Sequence, residues 1–289
     1  MKAGRRGEWL LTLPSFGWLL VFFLVPTLIV FAFAFKPSDP FGGVGAGWTT
    51  QALVGIADPQ YAAILWRTVW LSLLTTALCL VLATPAGYAI ARAEPRARAR
   101  LLLLVIVPFW TSFLIRIFAW KVLLHPEGTF KHALVELGLV PEQATLLYTP
   151  GAVLLVMVYT FLPFAVLPIY AAAEKFDFQL LEAARDLGAG RLRAFVEVFL
   201  PGIRRGLLTA FLVVFIPALG SYVIPDLVGG PGGEMLGNKI AQRVFVDRNL
   251  PHASALSAFL ILAVLLPLAA VLALQAQRRR SGVSGEEGA

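Results

Sequence analysis

Charged residues are scarce in this chain of 289 residues, because Asp, Glu, Lys and Arg together make up only 14% of it. A soluble protein of this length needs roughly a quarter of its residues charged to cover its surface. Hydrophobic residues make up 58% of the chain, and its mean hydropathy is +0.79. The lack of charge therefore excludes an ordinary soluble globule and indicates a membrane protein.

Cysteine and histidine are nearly absent, with one Cys and three His in the whole chain. Because Cys79 is alone it forms no intrachain disulfide, and its apolar surroundings predict that it is packed or faces lipid. His125 and His132 lack the spacing of metal ligands, His252 stands alone, and no serine has the glycines of a nucleophile elbow. These absences predict a chain with no metal site and no enzymatic site.

A complete phosphate-binding loop is also missing. In the nearest match, residues 232–240, Lys239 comes one position late and Ile240 replaces the hydroxyl residue that would hold magnesium. We therefore predict that this chain is not an enzyme and binds no cofactor, and that any ATPase acting with it is a separate polypeptide.

Basic residues outnumber acidic ones and give the chain a net charge of +7. They occur in short clusters beside apolar runs instead of forming one basic stripe, which favours a role in membrane orientation over nucleic-acid binding. We predict contact with membrane lipid and no nucleic-acid partner.

Six apolar runs are long enough to cross a bilayer, whose hydrocarbon core of about 30 Å needs roughly 20 helical residues. The first run is longer than the roughly 7 to 15 residues of a signal-peptide core, so we predict that it is retained. The prolines inside the fourth and fifth runs are tolerated in membrane helices. The sequence therefore predicts an all-α, polytopic membrane protein with six transmembrane helices, at residues 13–35, 68–91, 101–124, 151–173, 206–224 and 253–274.

Lysine and arginine are unevenly divided between the connections that flank these runs. The N-terminus and the stretches 92–100, 174–205 and 278–280 hold 16 of them, whereas the three alternate connections hold six. Since basic residues concentrate on the cytoplasmic side, both termini are predicted to be cytoplasmic. The predicted organisation is a cytoplasmic N-terminus at 1–12, a membrane domain at 13–275 that includes a cytoplasmic segment at 174–205, and a cytoplasmic tail at 276–289.

The 174–205 segment is longer than a connection between two helices needs to be, and it has helical periodicity. Gly188 and Gly190 allow a sharp turn in its middle, and Pro201 is predicted to end its second half. Apolar residues fall on one face of each of two short helices, formed by Leu180, Ala184 and Leu187 and by Leu192, Phe195, Val196 and Phe199.

Two interpretations of this segment are open on periodicity alone. In the first, the small side chains of Ala183 and Ala184 let the first helix enter a groove of a partner. Glu182, Arg185 and Asp186 then form charge pairs at the rim of that groove. In the second interpretation, the segment is a solvated loop of mixed charge.

The order Glu182-Ala183-Ala184, then Gly188, then the stretch 198–201 resembles the EAA signature of bacterial ABC importer permeases. In that family the loop forms coupling helices that dock into the ATP-binding subunit, which favours the first interpretation. The resemblance implies a coupling role for the residues Glu182, Ala183, Ala184, Asp186, Gly188, Leu200 and Pro201.

The same resemblance implies a type I ABC importer (MetI-like) transmembrane domain in the bacterial cytoplasmic (inner) membrane. It implies as partners two copies of an ATP-binding subunit, a second homologous permease and a periplasmic or lipid-anchored substrate-binding protein. ATP and magnesium would be bound by the ATP-binding subunits, whose cycle would drive alternating access in the permease.

A second resemblance covers nearly the whole chain and is to the spermidine/putrescine importer permeases. Permeases for other organic cations, opines and aminoethylphosphonate look similar too, and Phe118 stands where the pattern usually has Tyr. The resemblance implies import of a polyamine or a related small cation. It is carried by the stretches 108–120, 162–164, 168–170, 181–189, 225–230 and 237–238.

A polyamine is held by carboxylates and by aromatic faces, whose cation–π contacts contribute about 0.5 to 2 kcal/mol each. For any single aromatic residue, an interfacial or packing role is the alternative. Arg116 is a charge well inside a predicted run, and its sign favours a structural or gating pair with a carboxylate such as Asp226. We predict a substrate pathway lined by Trp110, Arg116, Trp120, Tyr159, Phe161, Tyr222 and Asp226.

Two other function classes are alternatives. An ion-driven secondary transporter usually carries carboxylates at mid-membrane and inverted repeats, neither of which this sequence shows. A membrane enzyme needs a reactive site, which is also missing from the sequence. The predicted function is therefore that of an ABC importer permease.

Overall fold

The computed structural model describes residues 12–283, with side chains described for residues 12–266. Helices make up most of this part of the chain, and its one β pairing is an isolated bridge between Ser38 and Val44. The predicted all-α fold is therefore confirmed. The predicted N-terminal segment lies, apart from Thr12, outside the described residues, and so do residues 284–289 of the tail.

The helices differ widely in length, from one turn to about ten turns. Short 3₁₀ turns lie at Gly55–Ala57, Val107–Trp110 and Pro231–Gly233. In chain order the helices are α1 Thr12–Phe33, α2 Gln51–Val54, α3 Pro59–Arg92, α4 Pro95–Ile106, α5 Phe113–Leu123, α6 Thr129–Glu136, α7 Pro150–Glu174, α8 Gln179–Asp186, α9 Arg191–Gly202, α10 Arg204–Leu219, α11 Val223–Val228, α12 Leu236–Phe245 and α13 Leu250–Val283.

The described chain divides into two compact units. One consists of the described residues up to Ala62 together with those from Lys239 onward, and the other is Ala63–Asn238. In the first unit the second half of α1 packs on α13, and alanines from three segments form a small core. In the second unit the main core gathers around α7, which packs on α10.

Several helices are long and apolar enough to cross a membrane, as predicted. Within the described residues α1, α3 and α7 pass as single helices, and two bent helix pairs raise the number to five if each pair is one crossing. The sixth predicted run lies in α13, whose apolar stretch with described side chains is Leu250–Leu266. Membrane helices are therefore confirmed, whereas their exact number stays a prediction.

The third predicted run, residues 101–124, is not one helix. The chain bends by 89° between Pro95–Trp110 and α5, and Thr111 at the bend is extended with ψ 146°. Pro108 contributes to the break, because it lacks the N–H of a regular helical turn and lies in the 3₁₀ turn Val107–Trp110 that ends at the bend. The Thr111 hydroxyl donates to the carbonyl oxygen of Pro108 at 2.7 Å and stabilises the turn.

The fifth predicted run, residues 206–224, also ends differently. Helix α10 stops at Leu219, and α11 begins only at Val223. Pro217 removes one backbone donor from the last turn of α10. The side-chain amide of Asn238 then donates to the carbonyl oxygen of Tyr222 at 3.0 Å, so a tertiary contact holds the chain in its new direction.

Helix α7 matches its predicted run, 151–173, to within one residue at each end, even though it contains Pro163 and Pro168. Its neighbour on α3 is Cys79, which is fully buried with its Sγ 3.7 Å from the carbonyl oxygen of Val158. Of the two surroundings expected for this cysteine, the structure has the packed one.

Candidate functional site

The two short helices predicted in the 174–205 segment are present as α8 and α9. Gly188 lies between them with φ +89°, a left-handed conformation that a residue with a Cβ rarely adopts. The Gly188 N–H donates to the carbonyl oxygen of Arg185 at 2.8 Å, and the Ala189 N–H donates to that of Ala184 at 3.0 Å. These bonds satisfy carbonyl groups at the end of α8 and fix the direction of α9.

The apolar face predicted for α8 is not covered by the rest of the chain. Leu180 is 50% exposed and Leu187 is 90% exposed, whereas the neighbouring Leu181 is buried. Exposed leucines beside exposed charges form one surface, which we call the docking surface. It consists of Leu180, Glu182, Ala183, Asp186, Leu187 and Leu192.

The predicted apolar face of α9 is divided in two. Phe195 is half-buried and Phe199 is fully buried, whereas Leu192 and Val196 are exposed. Helix α9 therefore attaches the segment to the core with one face and leaves the other face open. This arrangement keeps the docking surface in place without covering it.

A concave site of about 290 Å³ lies between α8 and α9. Ala184 and Gly188 line it, and an ion pair at 2.9 Å joins Arg193 to Glu197 beside them. Leu200 is half-buried and Pro201 is exposed in the last turn of α9, which ends one residue after Pro201. The predicted end of the second helix is correct to within that residue.

Two of the predicted pathway residues are in direct contact. The rings of Trp120 on α5 and Tyr159 on α7 lie edge to face with their centroids 5.4 Å apart. Phe161, by contrast, is only 8% exposed and packs near Phe164 at 6.3 Å, so it contributes to packing. Trp110 is 77% exposed at the break before α5.

Arg116 lies on α5, just after the break. Its guanidinium carbon is 5.6 Å from the centroid of the Phe109 ring, and its Nε is buried without a hydrogen-bond partner. Among the residues with described side chains, no ion pair joins Arg116 to Asp226 or to another carboxylate. The structure thus gives Arg116 an aromatic neighbour in place of the carboxylate that was expected.

Asp226 and Tyr222 lie one turn apart around the start of α11, and both side chains are exposed. Asn238 holds this region: its Nδ2 is 3.5 Å from Asp226 Oδ1, and its Oδ1 accepts the Met235 N–H at 3.1 Å. Helix α5, which carries Arg116, packs against α11. The Asp226 carboxylate is therefore exposed on α11, which Asn238 and the packing of α5 hold in place.

Two residues that hold this region were missed by the sequence reasoning. Asn238 was noted only within the incomplete phosphate-loop match and the second resemblance, and Thr68 only as the first residue of an apolar run. The buried hydroxyl of Thr68 accepts the Leu236 N–H at 2.8 Å. The available signal was the recurrence of hydroxyl residues at Thr68, Ser72 and Thr75 inside an otherwise apolar run.

Comparison with protein families gives a match over residues 83–281, to the binding-protein-dependent transport system inner membrane component. The spermidine/putrescine transport system permease protein PotB of Haemophilus influenzae is 37% identical over 242 residues, which cover 84% of this chain and 85% of that protein. The inner membrane ABC transporter permease protein YdcU of Escherichia coli is 30% identical and covers 92% of this chain and 88% of its own.

Solved structures show the same fold. A chain of a bacterial ABC transporter involved in the import of the acidic polysaccharide alginate superposes with a TM-score of 0.65, at 20% identity, covering 95% of this chain and 96% of that one. The same kind of transporter in complex with an alginate-bound periplasmic protein gives a TM-score of 0.67, covering 90% and 92% of the two chains at 20% identity. At this level of identity the likeness concerns the fold alone.

Proposed function

The chain belongs to the family of binding-protein-dependent transport system inner membrane components, and from this membership we propose its substrate and its assembly. It is a multi-pass inner-membrane permease subunit of an ABC importer and not an enzyme. An importer of this kind works with an ATPase and a substrate-binding protein.

The proposed substrate is a polyamine of the spermidine or putrescine type. The observation that carries this proposal is the 37% identity to PotB of Haemophilus influenzae over most of both chains. The exposed Asp226 supports it, since a carboxylate pairs with an ammonium group. The Trp120 and Tyr159 rings, 5.4 Å apart, support it as faces for cation–π contacts. Another small amine, an opine or aminoethylphosphonate is the alternative cargo of the same kind of permease.

The assembly we propose contains two ATP-binding subunits, a second homologous permease and a periplasmic or lipid-anchored binding protein. ATP and magnesium are bound by the ATP-binding subunits, and both termini of this chain are cytoplasmic. The distribution of Lys and Arg between the connections supports this orientation. ATP binding opens the permease toward the binding protein, and hydrolysis resets it.

Uptake by the reconstituted complex tests the substrate. Asp226→Asn removes the charge and keeps the shape, so we expect polyamine uptake to fall about tenfold, the loss of one partly desolvated charge pair. Asp58→Asn is the matched control, because Asp58 is exposed and its Oδ1 accepts the Gln60 N–H at 2.9 Å, a role that an amide oxygen also fills.

Labelled spermidine, putrescine and aminoethylphosphonate are compared in the same proteoliposomes. Uptake of aminoethylphosphonate alone would exclude the polyamine proposal.

The docking surface is the proposed contact with the ATPase. Gly188→Val places a β-branched residue at φ +89°, and Ala184→Trp puts a large ring in the concave site. We expect both variants to insert normally but to lose about tenfold or more in uptake and in co-purification of the ATPase.

Gly190→Val is the matched control for Gly188→Val. Gly190 has φ −64°, and a Cβ built there meets no atom within 4 Å. This variant should bind the ATPase and transport like the wild type. Normal ATPase binding and uptake in Gly188→Val and Ala184→Trp would mean that the segment is only a solvated connection.

A further inference from the structure

Five aromatic rings form a cluster where the 174–205 segment meets the rest of its unit. We call it the ring cluster; it consists of Tyr88, Phe176, Phe178, Phe195 and Phe199. Phe199 is fully buried at its centre, with ring centroids at 4.9 Å to Tyr88, 5.1 Å to Phe195 and 5.2 Å to Phe176. Rings packed at these distances move together, because close-packed interiors transmit displacement.

Tyr88 is the member of this cluster that comes from outside the segment. It belongs to α3 and meets Phe178, Phe195 and Phe199 edge to face, at interplanar angles of 71°, 81° and 82°. Arg92, one turn further along α3, donates to the Tyr88 hydroxyl at 2.7 Å and lies 5.7 Å from the Phe178 ring. The end of α3 is therefore attached to the segment by both a ring and a cation.

Helix α3 runs unbroken from Tyr88 back to Thr68, a distance of about 30 Å at the helical rise. At that end it is attached to the first residue of α12 and to the connection before that helix. Thr68 Oγ1 accepts the Leu236 N–H at 2.8 Å, and Arg67 Nη1 donates to the carbonyl oxygen of Pro231 at 3.2 Å. Thr68 is fully buried, so a displacement of α3 moves this connection with it.

The connection before α12 leads directly to Asp226. Met235, next to Leu236, donates to Asn238 Oδ1, and Asn238 in turn holds Tyr222 and Asp226. A continuous series of contacts thus joins the ring cluster to the exposed carboxylate. Each step is a ring packing, a covalent helix or a hydrogen bond between described atoms.

We propose that α3 transmits movement of the 174–205 segment to Asp226, with Tyr88 and Thr68 as the positioning residues at its two ends. The proposal rests on the proposed function, because it takes the docking surface as the ATPase contact and Asp226 as a substrate contact. Tyr88 acts through its ring, which is packed among the phenylalanines. Thr68 acts through its hydroxyl, which holds the Leu236 N–H.

The test measures three quantities on the fully assembled, reconstituted complex: co-purification of the ATPase, ATP hydrolysis, and polyamine uptake. Tyr88→Leu removes the ring, and Thr68→Val removes the acceptor at constant shape. We expect both variants to bind the ATPase and hydrolyse ATP normally, while uptake per ATP falls about tenfold. Tyr88→Phe and Thr68→Ser keep the ring and the hydroxyl, respectively, and should restore the ratio to within about twofold.

Tyr170→Leu is the matched control for Tyr88→Leu. Tyr170 also lies near the end of a long helix, but its hydroxyl donates to Glu174 at 2.8 Å, and among the described residues no aromatic ring pair joins it to the ring cluster. This variant should keep the wild-type uptake per ATP.

Arg92→Gln removes only an exposed guanidinium, so it will fold even if a core variant does not, and it should lower the ratio about threefold.

The outcomes separate this inference from the proposed function. If the ATPase does not bind the wild-type chain, the proposed function itself fails. If the wild type couples hydrolysis to uptake and Tyr88→Leu, Thr68→Val or Arg92→Gln keeps the same ratio, only the transmission by α3 is wrong. Parallel loss of ATPase binding and uptake in Tyr88→Leu would also overturn it, because the ring would then merely shape the docking surface.

Discussion

Helices α1 and α7 are almost equally apolar, but they differ in how much of each helix is buried by the rest of the chain. Their most apolar stretches have mean hydropathies of 2.5 and 2.4, yet none of that stretch is buried in α1 and half of it is buried in α7. Both helices are equally suited to lipid, so hydropathy alone predicts insertion and not packing. The difference teaches that small residues, which let backbones approach, decide which membrane helix becomes the core.

The side chains of the two helices bear this out. Helix α7 buries Ala152, Ala165 and Ala173, and the neighbouring α10 meets it through the buried Gly206. Helix α1 carries large residues such as Leu19 and Phe23, which are 63% and 71% exposed. Large side chains are exposed along the first half of α1, whereas only its second half packs on α13.

The largest expected effect comes from adding volume at the α7–α10 contact. A Cβ on Gly206 would overlap with the Cβ of Ala172, and it would lie 3.0 Å from the carbonyl oxygen of Pro168. Gly206→Val should therefore push the two helices apart and cost about 3 kcal/mol or more, the upper range for overpacking. The measurement is the thermal unfolding midpoint of the detergent-purified protein.

Gly17→Val is the matched control on α1, where a Cβ meets no atom within 4 Å. It should leave the midpoint unchanged, because a side chain at this position meets no described atom. Equal stability of Gly206→Val and Gly17→Val would break the comparison between the two helices.

An effect of comparable or smaller size is expected from removing volume. Met157 on α7 is fully buried, so Met157→Ala should leave a cavity and cost about 2 to 5 kcal/mol. Leu28 on α1 is 56% exposed, and Leu28→Ala should cost under about 0.5 kcal/mol in the isolated chain. Unfolding of the two variants by chemical denaturant gives both numbers. A cost for Leu28→Ala that approaches that of Met157→Ala would show that the exposed face of α1 is as tightly packed as the core of α7.

The sequence predicted those features that depend on neighbours along the chain. Helix α7 follows from an apolar run, the short helices α8 and α9 from helical periodicity and the turn from Gly188, and all lie where expected. The break at Thr111 was missed because Pro108 in an apolar run is compatible with both a continuous and a broken membrane helix. Only the fold around it distinguishes the two.

Contacts between distant parts of the chain were beyond sequence reasoning. Asn238 contacts Tyr222 and Thr68 contacts Leu236, at separations of 16 and 168 residues, and no periodicity within a single helix reports such a pair. Arg116 shows the same limit: its charge inside an apolar run marked it as unusual, but its neighbour is Phe109 and not the expected carboxylate. The candidate pathway was therefore predicted as a set of residue types, and its geometry was not.

The smallest effect on stability is expected at Trp18, and it sharpens the comparison most directly. Trp18 stacks on Phe22 with ring centroids 4.1 Å apart, and both side chains are more than half exposed on α1. Trp18→Ala should change the free energy of unfolding by no more than about 0.5 kcal/mol, because the described residues leave most of this ring pair exposed. If α1 faces lipid, brominated lipids quench Trp18, and the quenched fraction of the tryptophan fluorescence should fall in Trp18→Ala relative to wild type.

Phe161→Ala on α7 is the contrasting variant, since Phe161 is only 8% exposed and its loss should cost about 3 kcal/mol or more while leaving the quenched fraction unchanged. A quenched fraction that is the same in Trp18→Ala and wild type would mean that this face of α1 is shielded from lipid, and the contrast between an outer helix α1 and a core helix α7 would then fail.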